Sequence, residues 1–295
     1  MEVMNPLIMK YAYNLIAILR RYVFSTYKGL FGFITILVFV LLGLVAPFKA
    51  PYDPNAIVAS PYTSPSNEFI MGTDYFGRDI FSRLLVGTTY TLLVAALAST
   101  IIVFIGLFAG SLSGYFGGLV DEIFMRITDL FMVIPSFFIL IILSAYLPPN
   151  NYLSAIVLGV LAWPTSARII RSQVLSLKTQ LYIEAAKAIG AGDLRIIFRH
   201  ILPNMLPLVV ITFIQDLVYA VHAITTLIFL GLGDIKQPTW GETLYWSFAT
   251  GALYRGAWWS LLYPSLFIVV FSAGLIMLNE SISTTLKRER FGGQT

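Results

Sequence analysis

Long apolar runs alternate with short polar connections along most of this chain. Six runs stand out, at about 30–47, 88–112, 128–147, 151–170, 205–230 and 259–278. A helix needs about 20 apolar residues to cross a bilayer, and the shortest run still reaches roughly 27 Å. The pattern predicts six membrane-spanning helices. Residues 1–28 hold Lys10, Arg20, Arg21 and Lys28 among aromatics, and 7–24 reads as an interfacial helix. That basic stretch is too long for a cleaved leader, and Pro47 follows Ala46 where cleavage would fall. Residues 48–80 carry Pro51, Pro54, Pro61 and Pro65 and predict a stiff extramembrane loop with several turns. Pro148-Pro149-Asn150 predicts a tight turn between the third and fourth spans.

Composition agrees with the pattern. Hydrophobic residues make up 58% and charged residues 12%, against about 25% charged in soluble domains. There is no cysteine, so disulfides and thiolate metal sites are excluded. His200 and His222 fall in different segments, with no HxxxH or HExxH pair to hold a metal. No GK[ST] phosphate loop and no Ser/His/Asp or Cys/His constellation is present. The chain is expected to be neither an enzyme nor an ATPase, to bind no cofactor or metal itself, and to meet no nucleic acid.

The net charge of +4 matters less than its placement. Of the nineteen Lys and Arg residues, fourteen lie in 1–28, 113–127, 164–204 and the C-terminal segment. The positive-inside rule makes both termini and the 164–204 loop cytoplasmic. Trp163, Trp246, Trp258 and Trp259 lie near predicted span ends, as interfacial anchors do. Gly106, Gly110 and Gly114 recur every four residues in the second span and give a smooth face for close helix approach. Arg126 and Asp129, three apart, are spaced to pair on one helix surface.

The 164–204 loop is the most informative polar stretch. Residues 180–189 are good helix formers, and Gly190 suits a left-handed stop. Asp193 is placed to cap a second short helix with an apolar stripe of Leu194, Ile197, Phe198 and Ile201. Arg195 and Arg199 fall on its other side, and Pro203 ends that helix or bends it into the fifth span. These features describe either a docking surface or an ordinary loop with a glycine stop.

The spacing Glu184-Ala185-Ala186, then Gly190, then Leu202-Pro203 resembles the EAA loop of ATP-binding-cassette importer permeases. His200 departs slightly from that pattern, where an isoleucine is usual. Three other stretches resemble the dipeptide/oligopeptide C-type permeases: Met71 to Asp79, Met125-Arg126 through Asp129 to Ile134-Pro135, and Phe229-Leu230-Gly231-Leu232-Gly233 through Pro238 to Gly241. The acidic residue that often precedes the last of these is missing near Ile224. The resemblance implies an all-α integral membrane fold with six transmembrane helices. These would form a type I importer permease core (81–280) with an N-terminal extra span and loop (1–80), a coupling loop at 173–204 and a cytoplasmic tail (281–295).

The resemblance further implies transport of short peptides by alternating access, in a bacterial or archaeal cytoplasmic membrane. Its expected partners are a homologous second permease, two cytoplasmic ATPases holding ATP and magnesium, an extracytoplasmic binding protein and membrane lipid. Glu184, Ala185, Ala186, Gly190, Leu202 and Pro203 would then couple to an ATPase. Trp240 and Tyr245 are expected to anchor at the interface or meet the binding protein, and the 48–80 loop to aid docking or rest over the outer mouth.

Within the fifth span, Gln215, Tyr219, His222 and Thr226 fall at 0, 4, 7 and 11 and form one polar stripe. It is a candidate lining for the translocation path, or else bonds to other helices or a second permease. Asp216 points about 100° away and reads as a structural or interface carboxylate sooner than as a substrate ligand in the path. A rival reading is a secondary transporter or channel driven by an ion gradient, with Asp216 and His222 as a proton relay. It leaves the large basic loop without a purpose, and the chain shows no inverted repeat.

Overall fold

The computed structural model describes residue 23 and residues 26–292, with side chains to residue 286. The expected interfacial helix at 7–24 lies outside the described residues, apart from Val23. Helices make up the framework, with a single isolated bridge, Thr73 to Asp79, among the described residues. The helices are α1 (Tyr27–Lys49), α2 (Ile80–Phe116), α3 (Gly118–Val133), α4 (Ser136–Tyr146), α5 (Asn151–Ala162), α6 (Pro164–Leu177), α7 (Leu181–Ala188), α8 (Asp193–Ile196), α9 (Leu202–Phe229), α10 (Trp240–Ala249) and α11 (Trp259–Gly292).

Four segments are long and apolar enough to span a bilayer unaided: 27–49, 80–116, 193–229 and 259–286. The expected third and fourth spans are each a broken pair instead. α3 and α4 meet at 70°, and α5 and α6 at 45°. Proline explains both breaks. Ile134, held before Pro135, is extended (φ −108, ψ 123), and Pro164 starts α6 without an N–H to give.

α2 is the hub. It is 37 residues long, about 55 Å, well beyond a bilayer core of about 30 Å. Asp79 caps it, accepting from Ser82 N at 2.8 Å. It packs most extensively on α6, and also on α1, α5 and α9. The α2–α6 contact is the one the glycine spacing predicts. A Cβ at Gly106 would lie 2.9 Å from Ser166 Cβ, at Gly110 2.5 Å from Ala167 O, and at Gly114 2.9 Å from Arg171 O. α1 sits between α2 and α11, with Gly32 against the backbone of Gly274 and Leu278.

The end of the bundle where α2 begins is tied by charge. Arg83 of α2 donates to Glu242 Oε2 of α10 at 2.5 Å, and both side chains are buried. Asp74 accepts from Arg78 Nε at 2.7 Å, and Arg83 also donates to Pro54 O. Asp74, Arg78, Arg83 and Glu242 make a neutral cluster joining the 48–80 loop, α2 and α10. Burial pushes the Glu242 carboxyl up, with Arg83 and Arg78 opposing it; burial and the nearby Arg83 push the Arg78 guanidinium down.

Two expectations fail here. α10 falls in a stretch read as loop, although Thr239-x-x-Glu242 carries a helix-start signature, and Thr239 Oγ1 accepts from Glu242 N at 3.1 Å. Trp240 is fully buried rather than interfacial. It meets Phe39, Phe267 and Phe271 edge-on, and its indole donates to Thr88 Oγ1 at 3.2 Å. A large aromatic with its N–H satisfied belongs in a core more readily than in a polar headgroup layer. Trp163 and Trp259 are buried too, whereas Trp258 stays exposed.

Candidate functional site: the helical knuckle and the polar face of α9

α7 and α8 form a knuckle between α6 and α9. α7 ends with Gly190 in the left-handed region (φ +83), and Ala191 N donates back to Ala186 O at 3.0 Å. Gly192 precedes α8 as its cap, so Asp193 does not serve in that role. Its carboxylate accepts from Tyr115 Oη of α2 at 2.7 Å, because the long end of α2 reaches the knuckle. Lys187 lies 5.4 Å from the Tyr115 ring. After α8 the chain makes a π-turn over Ile197–Ile201, and Pro203 falls in the first turn of α9.

The π-turn breaks the expected stripe. Ile196, Ile197 and Ile201 are buried with Ile183, Ile170, Val174, Tyr115 and Met205, while Leu194 and Phe198 stand exposed. A wider turn rotates the register, so a 3.6-residue pattern no longer holds through it. The knuckle thus has a buried anchoring face and a protruding one. The protruding face carries Leu181 (82% exposed), Ile189 (86%), Leu194 (65%) and Phe198 (66%). Glu184, Ala185 and Gly190 are exposed there, Ala186 is buried beneath, Leu202 is half-buried and Pro203 is exposed.

Tyr115→Phe should loosen this anchor, since one charge-assisted hydrogen bond contributes about 1.5–3 kcal/mol. The expected result is faster amide exchange over 181–201 than in α2 or α6. Equal protection in variant and parent would count against the Tyr115–Asp193 tie.

Near the knuckle end of α2, Asp121 accepts from Arg171 Nε and Nη2 at 2.6 Å each, and also from Ser113. Asp129 pairs with Arg168 at 2.5 Å, not with Arg126, because α3 packs beside α6.

On α9, Gln215, Tyr219, His222 and Thr226 are all exposed along one face. They divide between two recesses. The first, about 340 Å³, is lined by Ser136, Thr165, Ser166, Thr212, Gln215, Asp216 and Tyr219, with Ala162 and Ile169. The second, about 330 Å³, is lined by His222, Thr225, Thr226 and Ser265 with four apolar side chains. Tyr219 Oη and Ser136 Oγ are 2.8 Å apart, and His222 Nε2 lies 3.1 Å from Ser272 Oγ. Asp216 lines the first recess beside Gln215, despite its 100° offset, because the break at Pro164 places Ser166 against it at 2.7 Å. Asp216 and His222 open into different recesses, so the geometry does not join them in a relay.

Known proteins resemble this chain over most of its length. The chain is 32% identical over 265 residues to the oligopeptide transport system permease protein of Bacillus subtilis strain 168, covering 89% of this chain and 86% of that protein. It is 33% identical over 266 residues to a probable D,D-dipeptide transport system permease protein of Escherichia coli K12, covering 89% and 88%. It is 30% identical over 265 residues to a dipeptide transport system permease protein of Haemophilus influenzae, covering 88% and 89%. Residues 102–288, from the middle of α2 through most of α11, match the family described as binding-protein-dependent transport system inner membrane component. This chain belongs to that family of membrane permease components.

Proposed function

We propose that this chain is one of two permease subunits in an ATP-driven importer of short peptides. It sits in a bacterial or archaeal cytoplasmic membrane with both termini inside. The second permease is a homologue. Two cytoplasmic ATPases supply the energy and hold ATP and magnesium, and an extracytoplasmic binding protein delivers the solute. The peptide cargo rests on the transported solutes named for the relatives.

The protruding apolar face of the knuckle carries this reading. Four large side chains stand exposed on a short element whose other face is locked to α2 and α6. A rigidly rooted apolar surface is suited to transmit force from a docked subunit. Glu184 adds one anionic contact, and Ala185 lets a partner backbone approach. Gly190 holds a turn that other residues adopt only with strain. Nucleotide-driven closure of the ATPases would draw the two knuckles together and swing the roots of α6 and α9. The α9 stripe would line the path that opens in turn to each side. The 48–80 loop, stiffened by its prolines and tied to α10, would form part of the binding-protein platform.

Glu184→Lys and Gly190→Val test the coupling role. Allosteric coupling typically amounts to about 1–3 kcal/mol, or about 5–150-fold. Each variant should therefore cut transport-stimulated ATPase activity by at least about five-fold. No Cβ at Gly190 meets a neighbour within 4 Å, so its effect acts through the turn alone. Full stimulation in both variants, inserted at normal levels, would count against the knuckle as the coupling element.

A further inference from the structure

We infer that the recess at the α5–α6 break is a subsite for the positively charged group of the solute, with Asp216 as its ion-pair partner. The inference rests on the peptide-importer reading and assigns this recess to the free α-ammonium of a short peptide.

Asp216 lies in the middle of α9, is the one acidic residue of that helix, and lines the recess. A carboxylate at membrane depth is costly unless something meets its charge. Among the described residues, no Lys, Arg or His pairs with it. The one hydrogen bond it accepts is to Oδ2, from Ser166. A neutral hydroxyl orients a carboxylate but does not neutralise it.

The remaining polar wall is uncharged. Gln215 and Thr165 are exposed and make no side-chain hydrogen bond among the described residues. The Thr212 hydroxyl is already given to Leu208 O, and Tyr219 and Ser136 engage each other. One carboxylate with a free amide beside it therefore faces open space. An ammonium offers three donors to such a wall, for Asp216 Oδ1, Gln215 Oε1 and a hydroxyl oxygen. A metal ion fits less well, since no cluster of three His, Asp or Glu residues occurs among the described residues. The volume, about 340 Å³, is at the small end of the range for small-molecule sites, roughly 300–1,000 Å³. Tyr219 and Gln215 line the recess and are exposed on the α9 face, so the recess opens onto the same face as the proposed path.

The test uses the complete transport complex in liposomes, with alanyl-alanine as probe. Asp216→Asn should lower ATP-driven uptake by at least about ten-fold, the effect of losing one charge-assisted contact, and Asp216→Glu should restore most of it. Uptake by Asp216→Asn at the parental rate would overturn the subsite.

A second measurement does not depend on transport. The chain has no cysteine, so Gln215→Cys places a single thiol in the recess. A cationic methanethiosulfonate should react with it several-fold faster than an anionic one, and adding Asp216→Asn should erase the preference. Equal rates in the parent background would remove the recess as a cation site, whatever is transported. If the parent complex accumulates no dipeptide yet keeps the charge preference, the peptide reading falls and the cation site stands.

Discussion

Glu242→Gln should be the most damaging single change at the end of the bundle where α2 meets α10. Arg83 is 1% exposed and Glu242 is 0% exposed, and they meet at 2.5 Å. Neutralising Glu242 leaves a buried guanidinium with only carbonyl and amide oxygens from Pro54 and Asn55 nearby, and with Asp74 at 3.8 Å. Breaking a buried pair from one side costs about 3–5 kcal/mol. For a chain of this size the thermal midpoint in detergent should fall by about ten degrees. Arg83→Met should do the same from the other side. Joining Arg83→Met with Glu242→Leu should recover at least half of the loss, because two apolar side chains carry no desolvation cost. A midpoint within two degrees of the parent for either single variant, allowing for about 1 kcal/mol, would show that the cluster does not hold the 48–80 loop to α10.

Gly110→Leu should disrupt the α2–α6 packing at the root of the knuckle. A Cβ there would stand 2.5 Å from Ala167 O and 3.0 Å from both Arg171 N and Ile170 Cβ. Two of these three atoms are backbone, so no side chain can rotate away. α2 and α6 must separate, and with them the root of the knuckle. Overpacking a dense interior costs about 1–3 kcal/mol even for modest insertions. Gly110→Ala should therefore lose about 2 kcal/mol despite a gain of up to about 1 kcal/mol in helix propensity. Gly110→Leu should leave little folded protein in the membrane. Gly43→Ala is the matched control, since its nearest contacts would be an ordinary 3.7 Å, and it should be neutral or slightly stabilising. Equal yields and midpoints for the Gly43 and Gly110 alanine variants would refute the close α2–α6 approach.

Much of the fold was legible because lipid imposes a simple rule. A spanning segment must bury its backbone hydrogen bonds within itself and be apolar over about 20 residues. That rule located α1, α2, α9 and α11 to within several residues at most of their ends. It is weaker for the third and fourth spans, 128–147 and 151–170, which contain Pro135 and Pro164. A proline in a span either kinks it or breaks it, and the packing partners decide which. The Gly190 stop was legible because a left-handed residue is a local requirement. The burial of Ile196 with Leu194 exposed was not, since it depends on a π-turn that no short pattern signals.

What the sequence determined alone was local: which segments cross the membrane, where helices stop, which face of the second span is smooth, and which loop is basic. Each of these follows from the chemistry of a few neighbouring residues. The tertiary structure decided which distant groups meet. It took Trp240 into the core, joined Arg83 to Glu242 across 159 positions, carried Asp193 to Tyr115, and set Asp216 beside Ser166 in the same recess as Gln215. Those pairings are set by how bent helices pack, and packing depends on the shapes of all the helices together.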